Sequence, residues 1–88
     1  MTVLFSVGLG GDGDEVEAIE NAFARFGIDV PIEDAPKWTT VGDVWESLVK
    51  RLPRVHSQPD AFLRLCTALA DVTGVDPREI GHETRLLL

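Results

Sequence analysis

Three apolar stripes at helical spacing, each ended by glycine or proline, set the limits on what this 88-residue chain can fold into. Val16, Ile19, Phe23 and Phe26 recur at intervals of three, four and three, which places them on one face of a helix over 14–26. Ala18, Ala22 and Ala24 add helix propensity, and Gly27 supplies the stop. Thr40 followed by Asp43 has the form of a capping pair and opens a second stripe, Val41, Val44, Trp45 and Leu48. The third stripe is Phe62, Leu65, Leu69 and Val72, with Cys66 alongside; Ser57 and Asp60 suit its cap and third position, and Gly74 closes it. Three such stripes predict an all-α fold, a small bundle of three or four helices. A length of 88 residues supports one domain.

The segments between the stripes are short and punctuated. Pro31 and Pro36 bracket Ile32–Ala35, leaving room for a short helical turn. Leu52 to Pro59 has two prolines and no periodicity and is expected to be a linker. Asp76-Pro77-Arg78-Glu79 can cap a further single turn, with proline where its missing N–H matters least. Thr2 to Val7 is β-prone and apolar, and Gly8 to Gly13, with four glycines in six residues, is expected to be a loop. The expected layout of the single domain is therefore an extended segment and glycine-rich loop over 1–13, helices over 14–51, a linker over 52–59, and a helix with its following loop over 60–88.

Fifteen acids face eight bases, a net charge of −7. That balance argues against sequence-independent binding to nucleic acid or to an anionic membrane, both of which require Lys and Arg to neutralise phosphates. Residues 1–50 hold ten acids and three bases, whereas 51–88 hold five of each, so the excess lies wholly in the first half. Within it Asp12, Asp14, Glu15, Glu17 and Glu20 form a run with no base among them. Asp14 and Glu15 suit the positive end of a helix. Glu17 and Glu20 lie beyond the first turn and suit a docking surface for a basic partner. The single cysteine gives no internal disulfide, and its position beside an apolar stripe predicts a buried, inert thiol. No apolar run approaches the roughly 20 residues needed to span a bilayer. Met1–Val7 is too short for a signal peptide and lacks a basic head, so the expected location is cytoplasmic.

Gly8-Leu9-Gly10-Gly11-Asp12-Gly13 matches a dinucleotide-binding fingerprint, with Asp29 and Glu33 at about the expected distance downstream. Against nucleotide binding, a pyrophosphate there would meet Asp12, Asp14, Glu15 and Glu17, and the remaining chain supplies helices where several parallel strands are needed. The same glycine and aspartate mixture has only one copy and incomplete ligand spacing for a calcium loop. His56 and His82 are far apart, with no cysteine or acid pattern of a zinc site, and solvent exposure is expected for both. Trp38 and Trp45 read as core or rim aromatics. Nothing combines an acid, a base and a nucleophile, so the chain is expected to be neither an enzyme nor the holder of a cofactor or metal.

The stretch Phe26-Gly27-Ile28-Asp29-Val30-Pro31 and then Asp34-Ala35-Pro36-Lys37-Trp38-Thr39-Thr40-Val41-Gly42-Asp43 resembles an acyl carrier protein, over the end of that family's second helix, its short third helix and the start of its fourth. The resemblance implies that Trp38 and Val41 are buried and that Asp14 and Glu17 occupy acidic positions on the helix that docks onto partner enzymes. In the family, a serine in an Asp-Ser-Leu turn before that helix carries 4'-phosphopantetheine. Here Asp12 or Gly13 stands in the serine's place, and neither has a hydroxyl to esterify. The attachment turn is vacated.

Order differs as well. No helix precedes the glycine loop; instead Phe62 to Leu86 resembles the family's first helix and the loop after it, through Gly74-Val75-Asp76-Pro77-Arg78-Glu79-Ile80 and Thr84-Arg85-Leu86. The resemblance thus implies a circular permutation, with Leu52–Pro59 joining the old ends across roughly 10–20 Å. Permutation leaves two apolar ends, Met1–Val7 and Leu86–Leu88. They either pack side by side over the bundle or pair with another copy, and residues 60–73 could swap into a neighbour, so a homodimer stays open. The expected function is a non-catalytic carrier-like interaction module in a lipid or polyketide biosynthesis setting, docking a basic partner such as an acyl-transfer or synthase enzyme. The alternatives are a genuine carrier loaded at an unconventional residue or working beside a true carrier, and nucleotide binding through the glycine loop.

Overall fold

A computed structural model describes residues 4–9 and 14–87. Strand β1 (Ser6–Leu9) leads to helix α1 (Asp14–Arg25), then a 3-10 turn (Ile32–Lys37), α2 (Val41–Arg51), a second 3-10 turn (Pro53–Ser57), α3 (Ala61–Thr73), a third turn (Pro77–Glu79) and strand β2 (Arg85–Leu87). The protein is mostly helical, as the three stripes require, but it is not purely so. Its two ends lie side by side as a parallel strand pair, with Ser6 opposite Arg85 and Leu9 opposite Leu87. No helix among the described residues is long and apolar enough to cross a membrane.

Helix α3 is central. It packs against α1, β1 and the turn Pro77–Glu79, and also touches α2. Being covered on several sides, it buries small residues along with large ones: Ala61, Leu65, Cys66, Ala68, Leu69 and Ala70 are all inside. This corrects the stripe expected from large side chains alone. Val72 is 52% exposed at the end of the helix, and Phe62 is only half-buried. The rest of the core comes from Ile19 and Phe23 of α1, Val41, Val44 and Leu48 of α2, and Val7, Leu9 and Leu86 from the ends. Each large side chain fully buried in this way contributes roughly 1.5–3 kcal/mol of transfer free energy.

Other local expectations shift by identifiable causes. The supposed linker over 52–59 contains a 3-10 turn because Val55, buried to 1% exposure, pulls it onto the core. Ser57 does not cap α3; its hydroxyl donates to the Arg54 carbonyl at 3.1 Å, and α3 starts after Asp60 with no side-chain cap. The turn expected over 32–35 runs on through Pro36 to Lys37. Gly8 and Leu9 belong to β1, not to the glycine loop. Gly8 takes a φ of +83° beside an irregularity in the strand register, a conformation that glycine adopts at little cost.

The ends close the fold at the N-terminus of α2. The first N–H groups of a helix have no partner within it and must find one elsewhere. Here Val41 N–H donates to the Thr84 carbonyl (2.8 Å) and Gly42 N–H to the His82 carbonyl (2.9 Å). Asp43 N–H donates to Thr40 Oγ1, while Thr40 and Thr39 N–H both donate to Asp43 Oδ2 (3.0 and 2.9 Å). Burial opposes ionisation of Asp43, but these N–H groups and the Thr40 hydroxyl outweigh it and hold the carboxyl below the usual range. Thr84 completes the joint. Its buried hydroxyl donates to the Leu4 carbonyl at 2.6 Å and accepts from Gly81 N–H at 2.9 Å.

Gly42 is required by this contact. A Cβ placed there would lie 2.7 Å from the His82 carbonyl oxygen, so main chain would have to move. Gly42→Ala is expected to destabilise by about 1–3 kcal/mol, the usual range for forcing extra volume into a packed site. Urea unfolding followed by circular dichroism measures it, and an unchanged midpoint would mean that the approach of β2 to α2 is not tight.

Candidate functional site

The acidic run meets the structure on α1. Ala18, Ile19, Ala22 and Phe23 turn inward at helical spacing, which forces Glu17 and Glu20 onto the opposite, exposed face. Neither glutamate makes a hydrogen bond or ion pair among the described residues. The helix is held to α3 mainly by apolar burial. The surface pair Arg25–Asp71 (2.8 Å) is about half exposed on both sides and adds little. Asp12 and Gly13, the turn expected to be a vacated attachment site, and the side chains of Asp14 and Glu15 lie outside the described residues.

Trp38 is half-buried against Phe23, and Val41 is fully buried. The Trp38 indole N–H donates to Ser47 Oγ at 2.9 Å, and Ser47 Oγ donates in turn to Asp34 Oδ2 at 3.0 Å. Ser47 and Asp34 are both buried, so this chain ties the 3-10 turn Ile32–Lys37 to α2 and satisfies polar groups that would otherwise be stranded. An open cleft of about 280 Å³ lies over it, rimmed by Lys37, Asp43, Glu46 and Lys50.

A second cleft, which the sequence did not reveal, gathers both histidines. Trp45, Glu46, Val49 and Lys50 of α2 meet His56 of the turn Pro53–Ser57 and His82 of the loop before β2 around a cavity of about 380 Å³. Both histidines are exposed, as expected, but they are not isolated. The only trace in the sequence is Trp45 and Val49 at a spacing of four on one helix face. A third cleft, of about 290 Å³, lies between α1 and α3 at Phe26, Leu63 and Arg64. The Arg64 guanidinium sits 4.6 Å above the Phe26 ring. None of the large, fully buried side chains lines any of these clefts. No group of three or more His, Cys, Asp or Glu side chains is placed to hold a metal ion among the described residues.

Cys66 is buried at 1% exposure, and burial pushes its thiol up to about 12. A thiol so protonated is a poor nucleophile near neutral pH.

The chain matches no protein-family model, and no curated protein or solved structure is significantly similar to it.

Two outcomes follow from this geometry. Ser47→Ala strands the Trp38 N–H and the Asp34 carboxylate and is expected to cost about 1–3 kcal/mol. It should also shift Trp38 emission, and unaltered fluorescence with unaltered stability would show that the chain of bonds is dispensable. At Cys66 the folded state holds its proton above the ordinary thiol value while the unfolded state releases it. The stabilising contribution is whole below about pH 9 and is lost as pH rises toward about 12. The stability difference between the native chain and Cys66→Ala, followed from pH 7 to 11, should shrink only above about pH 9.

Proposed function

We propose that this chain is a non-catalytic, acyl-carrier-like interaction module that docks a basic partner protein through α1, in a lipid or polyketide biosynthesis setting. The observation that carries the proposal is the state of the charges. Glu17 and Glu20 stand exposed on one face of α1, three residues apart, and make no hydrogen bond or ion pair among the described residues. Unpaired like charges on one helix face favour a partner of opposite sign and speed its approach. An acyl-transfer or synthase enzyme with a basic surface fits that requirement.

The course of the ends supports the permuted order. An extended segment cut in its middle leaves two pieces that run the same way. When both are long enough to overlap, they can lie side by side in parallel, as β1 and β2 do. The Thr39–Asp43 element that carries the resemblance has a physical role of its own, since it caps α2 and gives room for the loop before β2. The attachment turn offers Asp12 and Gly13 and no hydroxyl, so a thioester arm has nowhere to be anchored there.

Two measurements test the proposal. Binding to a purified carrier-dependent acyltransferase, followed by calorimetry, should weaken with rising salt and fall about tenfold on joint Glu17→Lys and Glu20→Lys substitution. Insensitivity to both salt and charge reversal would reject docking through α1. Incubation with coenzyme A and a phosphopantetheinyl transferase should leave the intact mass unchanged, and a pantetheine mass gain would make the chain a genuine carrier instead.

A further inference from the structure

We propose that the cleft gathering Trp45, Val49, Lys50, His56 and His82 binds a small organic anion with a flat apolar body. The inference goes beyond the docking role of α1 and does not depend on it, since no α1 residue lines this cleft. Its volume, about 380 Å³, falls within the range of small-molecule sites, roughly 300–1,000 Å³.

The floor and the rim differ in chemistry. Trp45 and Val49, both half-buried, present an apolar surface. Phe62 of α3 fixes the rings on either side of it: Trp45 meets it edge-on at 5.4 Å and 89°, and His82 stacks on it at 4.2 Å and 6°. The main chain at His82 is pinned too, because its carbonyl accepts the Gly42 N–H at 2.9 Å. The aromatic walls are thus set before any ligand arrives, which lowers the ordering cost of binding.

Around this floor stand Lys50, His56 and His82, against the single carboxylate of Glu46. In a chain of net charge −7, the convergence of three side chains able to carry positive charge is the reverse of the overall balance. Their donors are also unspent. The Lys50 ammonium, the His56 ring and the ring nitrogens of His82 make no hydrogen bond or ion pair among the described residues. The neighbouring clefts have a different balance of groups. Over the 3-10 turn, the indole, the Ser47 hydroxyl and the Asp34 carboxylate satisfy one another. Beside Phe26, Arg64 donates to Gln58 and Arg25 is bound to Asp71. Among the clefts of the described residues, the histidine cleft is the one whose unpartnered donors outnumber its carboxylates: Lys50, His56 and His82 stand against Glu46, whereas the cleft over the 3-10 turn sets Lys37 and Lys50 against Asp34, Asp43 and Glu46. A carboxylate or phosphate can be met by Lys50 and the imidazole N–H groups while an attached ring lies against Trp45 and Val49.

Phenyl phosphate is the test probe, titrated into isotope-labelled protein and followed by NMR, with inorganic phosphate and benzylamine as parallel titrations. Saturable shifts are expected at the Trp45 indole N–H and the amides of Lys50, His56 and His82, with the Trp38 indole unmoved. Inorganic phosphate should bind about tenfold more weakly, for want of the ring, and benzylamine should not bind there. The joint Lys50→Gln and His56→Gln variant should weaken phenyl phosphate about tenfold while its spectrum stays as dispersed as the native one. The proposal is overturned by no saturable shift up to about 10 mM probe, shifts centred elsewhere, equal binding of benzylamine, or undiminished binding by the folded variant. Inorganic phosphate binding as tightly as phenyl phosphate would also overturn it, by removing any part for the apolar floor.

Discussion

The segment from Gly81 to Leu86 is laid across the start of α2, and the remaining architecture depends on that contact. It answers an obligation every helix has, since the first N–H groups need acceptors from outside. Thr84 and His82 supply carbonyls to Val41 and Gly42, Thr40 and Asp43 satisfy one another, and the Thr84 hydroxyl then reaches the carbonyl of Leu4. One buried residue, Thr84, therefore links both ends of the chain to its middle, by its hydroxyl on one side and its carbonyl on the other. Because these are main-chain bonds at close range, only glycine fits at position 42.

Fixing the ends there decides where the helices can lie. Val7, Leu9 and Leu86 become part of the core, and α3 is enclosed between them and α1. Its alanines are buried as a result, and its last valine is left outside. Helix α1 is covered on its α3 side and open on the other, so Glu17 and Glu20 face outward, with no partner among the described residues.

The same closure creates the histidine cleft. His82 is placed by the loop that caps α2, His56 by the turn that Val55 anchors, and Trp45 by α2 itself. Phe62 from α3 is the hub on which two of these rings rest. Four separate parts of the chain contribute, and none of them marks the site locally. Glu17 and Glu20 and the cleft lie on different elements, so the proposed docking and the proposed ligand binding need not compete for the same side chains.

Sequence alone determined the local features: three helices, the Thr40–Asp43 cap, the stops at Gly27 and Gly74, the turn after Asp76, the buried thiol and the exposure of Glu17 and Glu20 on α1. These follow from spacing and capping, which act over a few residues. Tertiary structure decided the parallel pairing of the ends, the burial of Val55 and the α3 alanines, the need for Gly42, and the placing of His56 and His82 on one cleft. Each of those depends on a neighbour distant in the chain, and no periodicity encodes which carbonyl or ring will arrive beside a given residue.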